Sequence, residues 1–189
     1  MKRTLLALIV LAAMLPSVQA QDTVIRQEIR PVQYYLGFQP GLDLIPFDEY
    51  GRYAFDINIL PFTLEYAINT HWALRIHSVW DIQVRPEFPA VFSKAGVEIT
   101  VPYYLPRKNS EEGHRGLYVA GLFTPVYHRL NEYYSLSAGA EAGYAFLFGN
   151  GWSIAIAAQA GLEFQKDPDN PFIRTIPYTK PRVCIGLWF

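Results

Sequence analysis

The residue types that could do chemistry are few and widely spaced along this chain. Histidine occurs only at His71, His77, His114 and His128, and the single cysteine is Cys184. The sequence has no His-Glu-x-x-His pair, no Gly-x-Ser-x-Gly motif, no glycine-rich phosphate loop and no cysteine pair for a metal. It therefore predicts no catalytic residue, no metal site and no cofactor.

His77 is followed directly by Ser78, and a histidine beside a serine is a pairing that nucleophilic catalysis uses. The residues around this pair alternate between apolar and polar, which predicts a β-strand. Adjacent side chains of a strand point to opposite faces, so these two residues cannot cooperate in one site.

The same alternation recurs along the chain and predicts the elements that must position any polar side chain. The clearest case is 152–165, where Trp152, Ile154 and Ile156 share one face and Ser153 lies on the other. Eight stretches follow this pattern: 34–44, 53–68, 72–83, 94–103, 117–128, 134–148, 152–165 and 182–189.

Turn and break signals separate or interrupt these predicted strands. Gly149-Asn150-Gly151 predicts a tight hairpin turn, because such turns need residues that tolerate positive φ. The apolar face switches from odd to even positions at Leu60-Pro61, which predicts a β-bulge. Pro40, Pro102 and Pro125 also fall inside predicted strands, so each requires a bulge, a strand end or a local break.

An even number of alternating strands without a helical stretch predicts an all-β fold. The architecture we expect is an eight-stranded antiparallel up-and-down barrel, because closure removes exposed strand edges. Its apolar face could line the interior, as in a soluble lipocalin-like barrel, or face outward, as in a transmembrane β-barrel. The opposite face carries small residues such as Ser137, Gly139 and Gly161, which suit a narrow interior, and the apolar face has no charge. Both features favour the transmembrane orientation.

Aromatic residues gather toward both ends of the predicted barrel, as in the interfacial girdles of membrane proteins. One group comprises Tyr66, Trp72, Tyr103, Phe148, Trp152 and Phe189, and the other comprises Trp80, Tyr127, Tyr134 and Phe164.

Charged residues recur on the face that this orientation turns inward. They predict a polar network in the lumen, formed by Glu65, Arg75, Lys94, Glu98, Glu141, Glu163 and Arg182. His77 and Asp81 lie on the same face, and Asp43 and Asp56 are further candidates. Buried charges persist only when they are paired, so we expect a plugged interior with a structural role. Acids outnumber bases in this set, which leaves solvated carboxyls or a mild preference for cations open.

The first 20 residues predict a secretory signal peptide. Lys2 and Arg3 precede the apolar run 5–15, and cleavage is expected between Ala20 and Gln21. An N-terminal membrane anchor is the alternative, although the apolar run is short for a membrane span. Gln21 is not cysteine, so lipoprotein processing is not indicated. Residues 21–189 then form a single barrel domain, in which 21–32 is a periplasmic N-terminal segment.

Composition excludes several other classes of protein. Charged residues make up 17% of the 189-residue chain, which is low compared with roughly 25% in ordinary soluble domains and so is not typical of that class. After the N-terminal run no apolar stretch approaches the length of about 20 residues that a membrane helix needs, which excludes a helical membrane bundle. Lys plus Arg is 16 against 17 acidic residues, so nucleic acid is not an expected partner.

The C-terminal residues Val183, Ile185, Leu187 and Phe189 place an apolar side chain at every second position. This ending resembles the C-terminal signal of bacterial outer-membrane β-barrels, which the barrel-assembly machinery reads. Most of 21–189 is similar in pattern to small OmpA/OmpX-type barrels. One departure is the long segment 105–116 on the expected periplasmic side, where turns are usually short, so the strand order there stays open.

The resemblance implies an envelope or surface protein of a Gram-negative-type outer membrane, in contact with its lipid and without enzymatic activity. Its outer loop at 166–180 is a candidate contact for a partner of unknown identity. Small outer-membrane barrels include lipid A-modifying enzymes, which form one alternative. The deacylase type has a histidine and a serine two residues apart, whereas His77 and Ser78 are adjacent. A soluble, secreted lipocalin-like binder of an apolar ligand is the other alternative.

Overall fold

A computed structural model of the chain describes residues 33–45, 54–85, 88–105, 113–166 and 172–189. The predicted signal peptide, its cleavage site at Ala20 and Gln21, and the segment 21–32 lie outside the described residues. Within these ranges there are ten β-strands: β1 Tyr34–Phe38, β2 Leu42–Ile45, β3 Ala54–Asn58, β4 Phe62–Ala67, β5 Ala73–Arg85, β6 Phe88–Tyr104, β7 Gly116–His128, β8 Tyr133–Leu147, β9 Trp152–Lys166 and β10 Ile173–Trp188. No helix in the described part of the chain is long and apolar enough to cross a membrane.

The ten strands form one closed antiparallel barrel with eight positions around its wall, which confirms the predicted fold class. We call each of these eight positions a stave. β1 and β2 are two parts of the first stave, and β3 and β4 are two parts of the second. Each later stave pairs with the one before it, and β1 closes the ring on β10, with Tyr35 opposite Trp188. β6 and β7 also pair directly, with Tyr104 opposite Tyr118, so the strand order is consecutive across the segment 105–116.

Each of the four prolines predicted to lie inside a strand coincides with a break in backbone pairing. Pro40 separates β1 from β2, and Pro61 separates β3 from β4. The β5–β6 ladder is interrupted beside Pro102, and the β6–β7 ladder is interrupted beside Pro125. The missing N–H of proline explains each gap, because it cannot donate to the neighbouring strand.

The break between β3 and β4 is held by side chains of the neighbouring strand and turn. The Ser78 hydroxyl donates to the carbonyl of Leu60 and lies 3.2 Å from the Phe62 nitrogen. The Asn58 Oδ1 accepts the N–H of Leu60 at 3.0 Å. Exposed apolar residues occupy odd positions before this break and even positions after it, so the predicted switch of faces is confirmed.

The barrel is polar inside and apolar outside. Neighbours along one strand make the contrast plain, since Leu64 is 57% exposed and Glu65 is 3% exposed. Further outward side chains are Phe55, Ile57, Phe62, Ile76, Leu117, Val119, Phe123, Phe146, Ile156, Val183 and Ile185. Charged inward side chains include Arg75, Glu98 and Glu141, each below 8% exposure.

Two strands are longer than the alternation predicts, and one predicted loop is wrong. β6 begins at Phe88 rather than at 94, and β10 begins at Ile173 rather than at 182. The stretch Ile173–Lys180 therefore belongs to β10, where it pairs with β9 in unbroken register, and not to an outer loop. Pro177 and the polar Thr175 and Thr179 interrupt the apolar alternation there. The local sequence therefore did not indicate that this stretch is a strand paired with β9.

A glycine pair shapes the interior wall where β8 meets β9. Gly139 lies opposite Gly161, and a Cβ on Gly139 would lie 2.4 Å from the carbonyl oxygen of Ala160. A Cβ on Gly161 would also lie 2.9 Å from the Tyr178 hydroxyl. The two glycines therefore leave the space that the neighbouring backbone and the Tyr178 side chain occupy.

We expect Gly139→Ala to destabilise the barrel by about 1–3 kcal/mol, since overpacking at a rigid backbone carbonyl forces strands apart. Urea unfolding of the folded protein, followed by tryptophan fluorescence, measures the change. Gly121→Ala is the matched control, because a Cβ there meets no atom within 4 Å. Equal losses of stability in the two variants would contradict this account of the glycine pair.

Candidate functional site

One end of the barrel interior is closed by stacked rings. Tyr35, Tyr104, Tyr118, His114 and Trp188 are all at most 5% exposed. His114 follows the turn into the barrel, stacks on Tyr104 with ring centroids 4.4 Å apart and meets the Trp188 ring edge-on at 5.3 Å. Its Nε2 donates to the carbonyl of Asn69 at 2.8 Å, which anchors the ring to another turn at the same end. We call this group the aromatic plug.

A buried ion-pair layer lies directly inside the aromatic plug. Arg75 donates from Nε to Glu65 at 2.6 Å and from Nη1 to Glu141 at 2.9 Å. Its third contact is with the Tyr104 hydroxyl at 3.2 Å, and that hydroxyl donates to Glu65 at 2.8 Å. One guanidinium thereby joins β5 to the three strands β4, β6 and β8, and its fork geometry suits two carboxylates at once.

Glu141 is the centre of the interior network. Its Oε1 accepts from Arg75 and from the Tyr118 hydroxyl at 2.8 Å, while its Oε2 accepts from Gln159 at 2.9 Å and Arg182 at 3.3 Å. Four donors around a carboxylate that is 2% exposed offset much of the cost of burying its charge.

Glu98 and Arg182 extend this network toward the other end of the barrel. Arg182 makes a close ion pair with Glu98, and Glu98 also accepts from Thr100 at 3.1 Å and Gln159 at 3.3 Å. Together with the preceding layer, three carboxylates and two guanidiniums form a continuous interior network. We call the five residues Glu65, Arg75, Glu98, Glu141 and Arg182 the charge plug.

Beyond the charge plug the interior opens as a polar cavity of about 720 Å³. Lys94 lies in its wall, with Nζ 3.0 Å from Asp81, 3.2 Å from Asp56 and 3.3 Å from Asp43. His128 lies directly opposite Lys94 on the neighbouring strand β7, and its Nε2 lies 2.8 Å from the Ser135 hydroxyl and 3.6 Å from Glu163. The cavity is thus lined by acids and bases that are already partnered within the protein.

The pair His77 and Ser78 does not form a catalytic site. His77 is 5% exposed and faces the interior, where its Nδ1 lies 3.0 Å from the Thr63 hydroxyl and its Nε2 accepts from Asn58 at 3.3 Å. The Ser78 hydroxyl is instead engaged on the outer side of the wall at the Leu60 break. Both ring nitrogens of His77 are engaged inside the barrel by Asn58 and Thr63, and neither contacts the Ser78 hydroxyl.

The described residues also hold no cluster of three or more His, Cys, Asp or Glu side chains arranged for a metal ion. Cys184 is a buried free thiol, and its Sγ lies 3.2 Å from the Tyr35 hydroxyl.

All seven residues of the predicted lumen network lie on the interior side, but they form three groups rather than one. Five of them make up the charge plug. Lys94 joins Asp43, Asp56 and Asp81, while Glu163 joins His128. The predicted network omitted Tyr104, Tyr118, Gln159 and His114, although the alternation of 152–165 already puts Gln159 on the inward face.

Strand periodicity offers a signal for three of the omitted residues. Tyr104 follows Thr100 and Tyr118 precedes Leu122 at the even spacing that keeps one face, and Gln159 follows Ser153 in the same way. His114 enters from a turn, so no periodic signal marks it.

No protein-family model matches this chain, and a search among curated proteins gives no match either. What the chain does must therefore be inferred from the geometry of its interior and the character of its outer surface.

We expect Arg75→Met to destabilise the barrel by about 3–5 kcal/mol, because it leaves Glu65 and Glu141 buried without their shared cation. Arg174→Met is the matched control, since Arg174 is exposed, and its cost should stay within about 0.5 kcal/mol. Chemical unfolding of both variants provides the measurement. A change in the Arg75 variant no larger than in the control would mean that the charge plug does not stabilise the fold.

Proposed function

We propose that this chain is a transmembrane β-barrel of a Gram-negative-type outer membrane, acting as an envelope or surface protein without enzymatic activity. The observation that carries the proposal is the polarity of the wall, with charged side chains inside and large apolar side chains outside. Leu64, Leu117 and Ile156 are each more than half exposed, while Glu65 and Glu141 are almost fully buried. Lipid is the surrounding that favours this arrangement, because it removes apolar side chains from water.

Aromatic contacts on the outer surface support the same proposal. At the closed end, Tyr34 contacts Tyr66 at 5.3 Å and Trp72 contacts Tyr103 at 4.8 Å. Toward the open end, Tyr127 contacts Tyr134 at 4.9 Å. Rings in two bands at the ends of a barrel match the preference of Tyr and Trp for membrane–water interfaces.

The interior argues against both alternatives. A soluble lipocalin-like binder needs an apolar lumen, whereas Glu98, Glu141 and Arg182 occupy this one. A lipid A-modifying enzyme needs cooperating polar residues on the lipid side, whereas His77 and Ser78 lie on opposite sides of the wall. The aromatic and charge plugs fill the closed end, so the proposed role is not that of an open pore.

On this proposal the partners are outer-membrane lipid and the barrel-assembly machinery. Phe189 supports the assembly machinery as a partner. Its ring stacks on Tyr34, with ring centroids 6.3 Å apart, and remains 59% exposed. An exposed terminal ring at the junction of the first and last staves is accessible to a receptor.

A charge on the middle of the outer face tests the membrane proposal. Ala140→Lys should lower the stability of the barrel in phospholipid vesicles by about 2–4 kcal/mol, the cost of Lys near the bilayer midplane. Thr175→Lys, also outward but near the end of β10, should cost at most about 1 kcal/mol. Urea titration of vesicle-inserted protein measures both effects.

The unsubstituted chain should require detergent or lipid to stay in solution and should migrate differently on gels before and after heating. Recovery as a detergent-free monomer, with no stability difference between the two lysine variants, would overturn the proposal. An altered mass of lipid A on overexpression would favour the enzyme alternative instead.

Removal of the terminal ring tests recognition by the assembly machinery. Phe189→Ala keeps the two backbone hydrogen bonds between Phe189 and Tyr34, so refolding into detergent should be unchanged while insertion in cells falls several-fold. Phe148→Ala removes another exposed ring from the same end and serves as the control. Equal insertion of both variants in cells would make the terminal resemblance accidental.

A further inference from the structure

The first and last staves are joined along only part of their length. The β1–β10 ladder runs from Tyr35 opposite Trp188 to Phe38 opposite Ile185. β10 continues for a further twelve residues toward the open end, fully paired with β9 on its other side. Among the described residues, β2 pairs only with β3, so no backbone ladder joins it to β10. We call the gap between 39–45 and 178–184 the seam.

Two prolines line the seam, and each turns its nitrogen toward it. Phe189 and Tyr34 exchange backbone hydrogen bonds across the junction of β10 and β1. Backbone groups of a strand alternate in direction, so residues at even separations from these two face the same junction. Pro181 meets that condition on β10, and Pro40 meets it on the first stave. Each proline lacks the backbone N–H that another residue at its position would point into the seam. Natural proteins use proline in this way to keep strand edges unpaired.

One side-chain contact crosses the seam where the ladder is missing. The Lys180 ammonium lies 2.7 Å from the Asp43 carboxylate, and Lys180 is the more exposed partner, with 44% of its side chain accessible. Asp43 also has Lys94 at 3.3 Å on its own side of the seam. If the seam widens, Asp43 therefore keeps one cation, whereas Lys180 is left without its anion.

The interior cavity reaches the outer surface through the seam. Its wall includes Pro40 and Leu42 on one side and Thr179, Lys180 and Pro181 on the other. Thr179, Lys180 and Pro181 also line an outer apolar groove of about 830 Å³, whose floor contains Ala140, Ala142, Ala158, Ala160 and Gly121. The polar cavity and the apolar groove thus meet at the same three residues of β10.

We propose that the seam is a binding site for a single-chain amphiphile with an anionic head group. The head contacts the Lys180 ammonium in the cavity, and the tail passes between β2 and β10 into the outer groove. An anionic head fits because Lys180 is the cation that an open seam releases, while Arg182 stays with Glu98 and Glu141. The inference rests on the proposed function, since the groove faces lipid only in a membrane barrel.

The seam itself is tested without ligand or membrane, by amide hydrogen exchange of the folded full-length chain read by NMR. The N–H groups of Thr179 and Val183 face the seam, so they should exchange at least about tenfold faster than those of Lys180 and Arg182, which face β9. Pro181→Val returns a donor to the seam and should slow exchange at Val183. Equal protection along β10 would overturn the proposal, whatever the outcome of the membrane tests.

The ligand is tested with the chain in phosphatidylcholine vesicles and palmitate carrying a diazirine near its terminal methyl group. Photolabelling should fall on residues of the groove and the seam, and palmitate should compete while hexadecanol, which lacks the charge, should not. Lys180→Met should weaken labelling at least about tenfold, the effect of losing one charge-assisted hydrogen bond. Asp43→Asn should strengthen labelling, because it frees Lys180.

Lys166→Met provides the control, because it removes another exposed lysine near the open end without touching the seam. Labelling spread evenly over the outer face, or equal responses of the Lys180 and Asp43 variants, would overturn the ligand assignment. Failure of the chain to enter vesicles would instead overturn the proposed function, and the exchange experiment separates these outcomes.

Discussion

A closed wall of eight staves encloses an interior that side chains must fill, and here the filling is charged. Arg75 and Arg182 converge on Glu141 from β5 and β10, while Glu65 and Glu98 add carboxylates from β4 and β6. The network therefore depends on the register of five strands at once. A slip of one residue in any of them would turn its charge to the apolar outer face.

This dependence gives the charge plug a role that stability alone does not describe. Buried ion pairs often contribute little net stability compared with apolar residues of the same shape. Their loss on one side is nevertheless costly, since the remaining charge stays buried. A register shift of two residues would keep the same side chains facing inward, so alternation alone does not exclude it. An interior whose ion pairs form in only one alignment does exclude it. We infer that the charge plug specifies the register of the strands as much as it stabilises the fold.

The sequence predicted the parts of this arrangement that depend on local periodicity. Alternation was sufficient to assign Glu65, Arg75 and Glu141 to the interior and to locate the switch of faces at Leu60-Pro61. It failed at the start of β10, because Pro177 and Thr179 interrupt the apolar pattern and the pairing with β9 is not local. It also missed His114, which lies outside the strands and depends on contacts with Tyr104 and with Trp188, the latter far away in sequence.

The incomplete junction between the first and last staves and the polar cavity explain one another. Where β10 lacks a partner, the carbonyl groups that face the seam still require hydrogen bonds. In the proposed membrane setting lipid could not supply them, but a water-accessible cavity beside the strand can. At the closed end the interior is filled by Tyr35 and Trp188, no such water is available, and there the ladder is complete. Among the described residues, Pro40 and Pro181 therefore lie on the part of the junction that borders the cavity, where an unpaired edge can be tolerated.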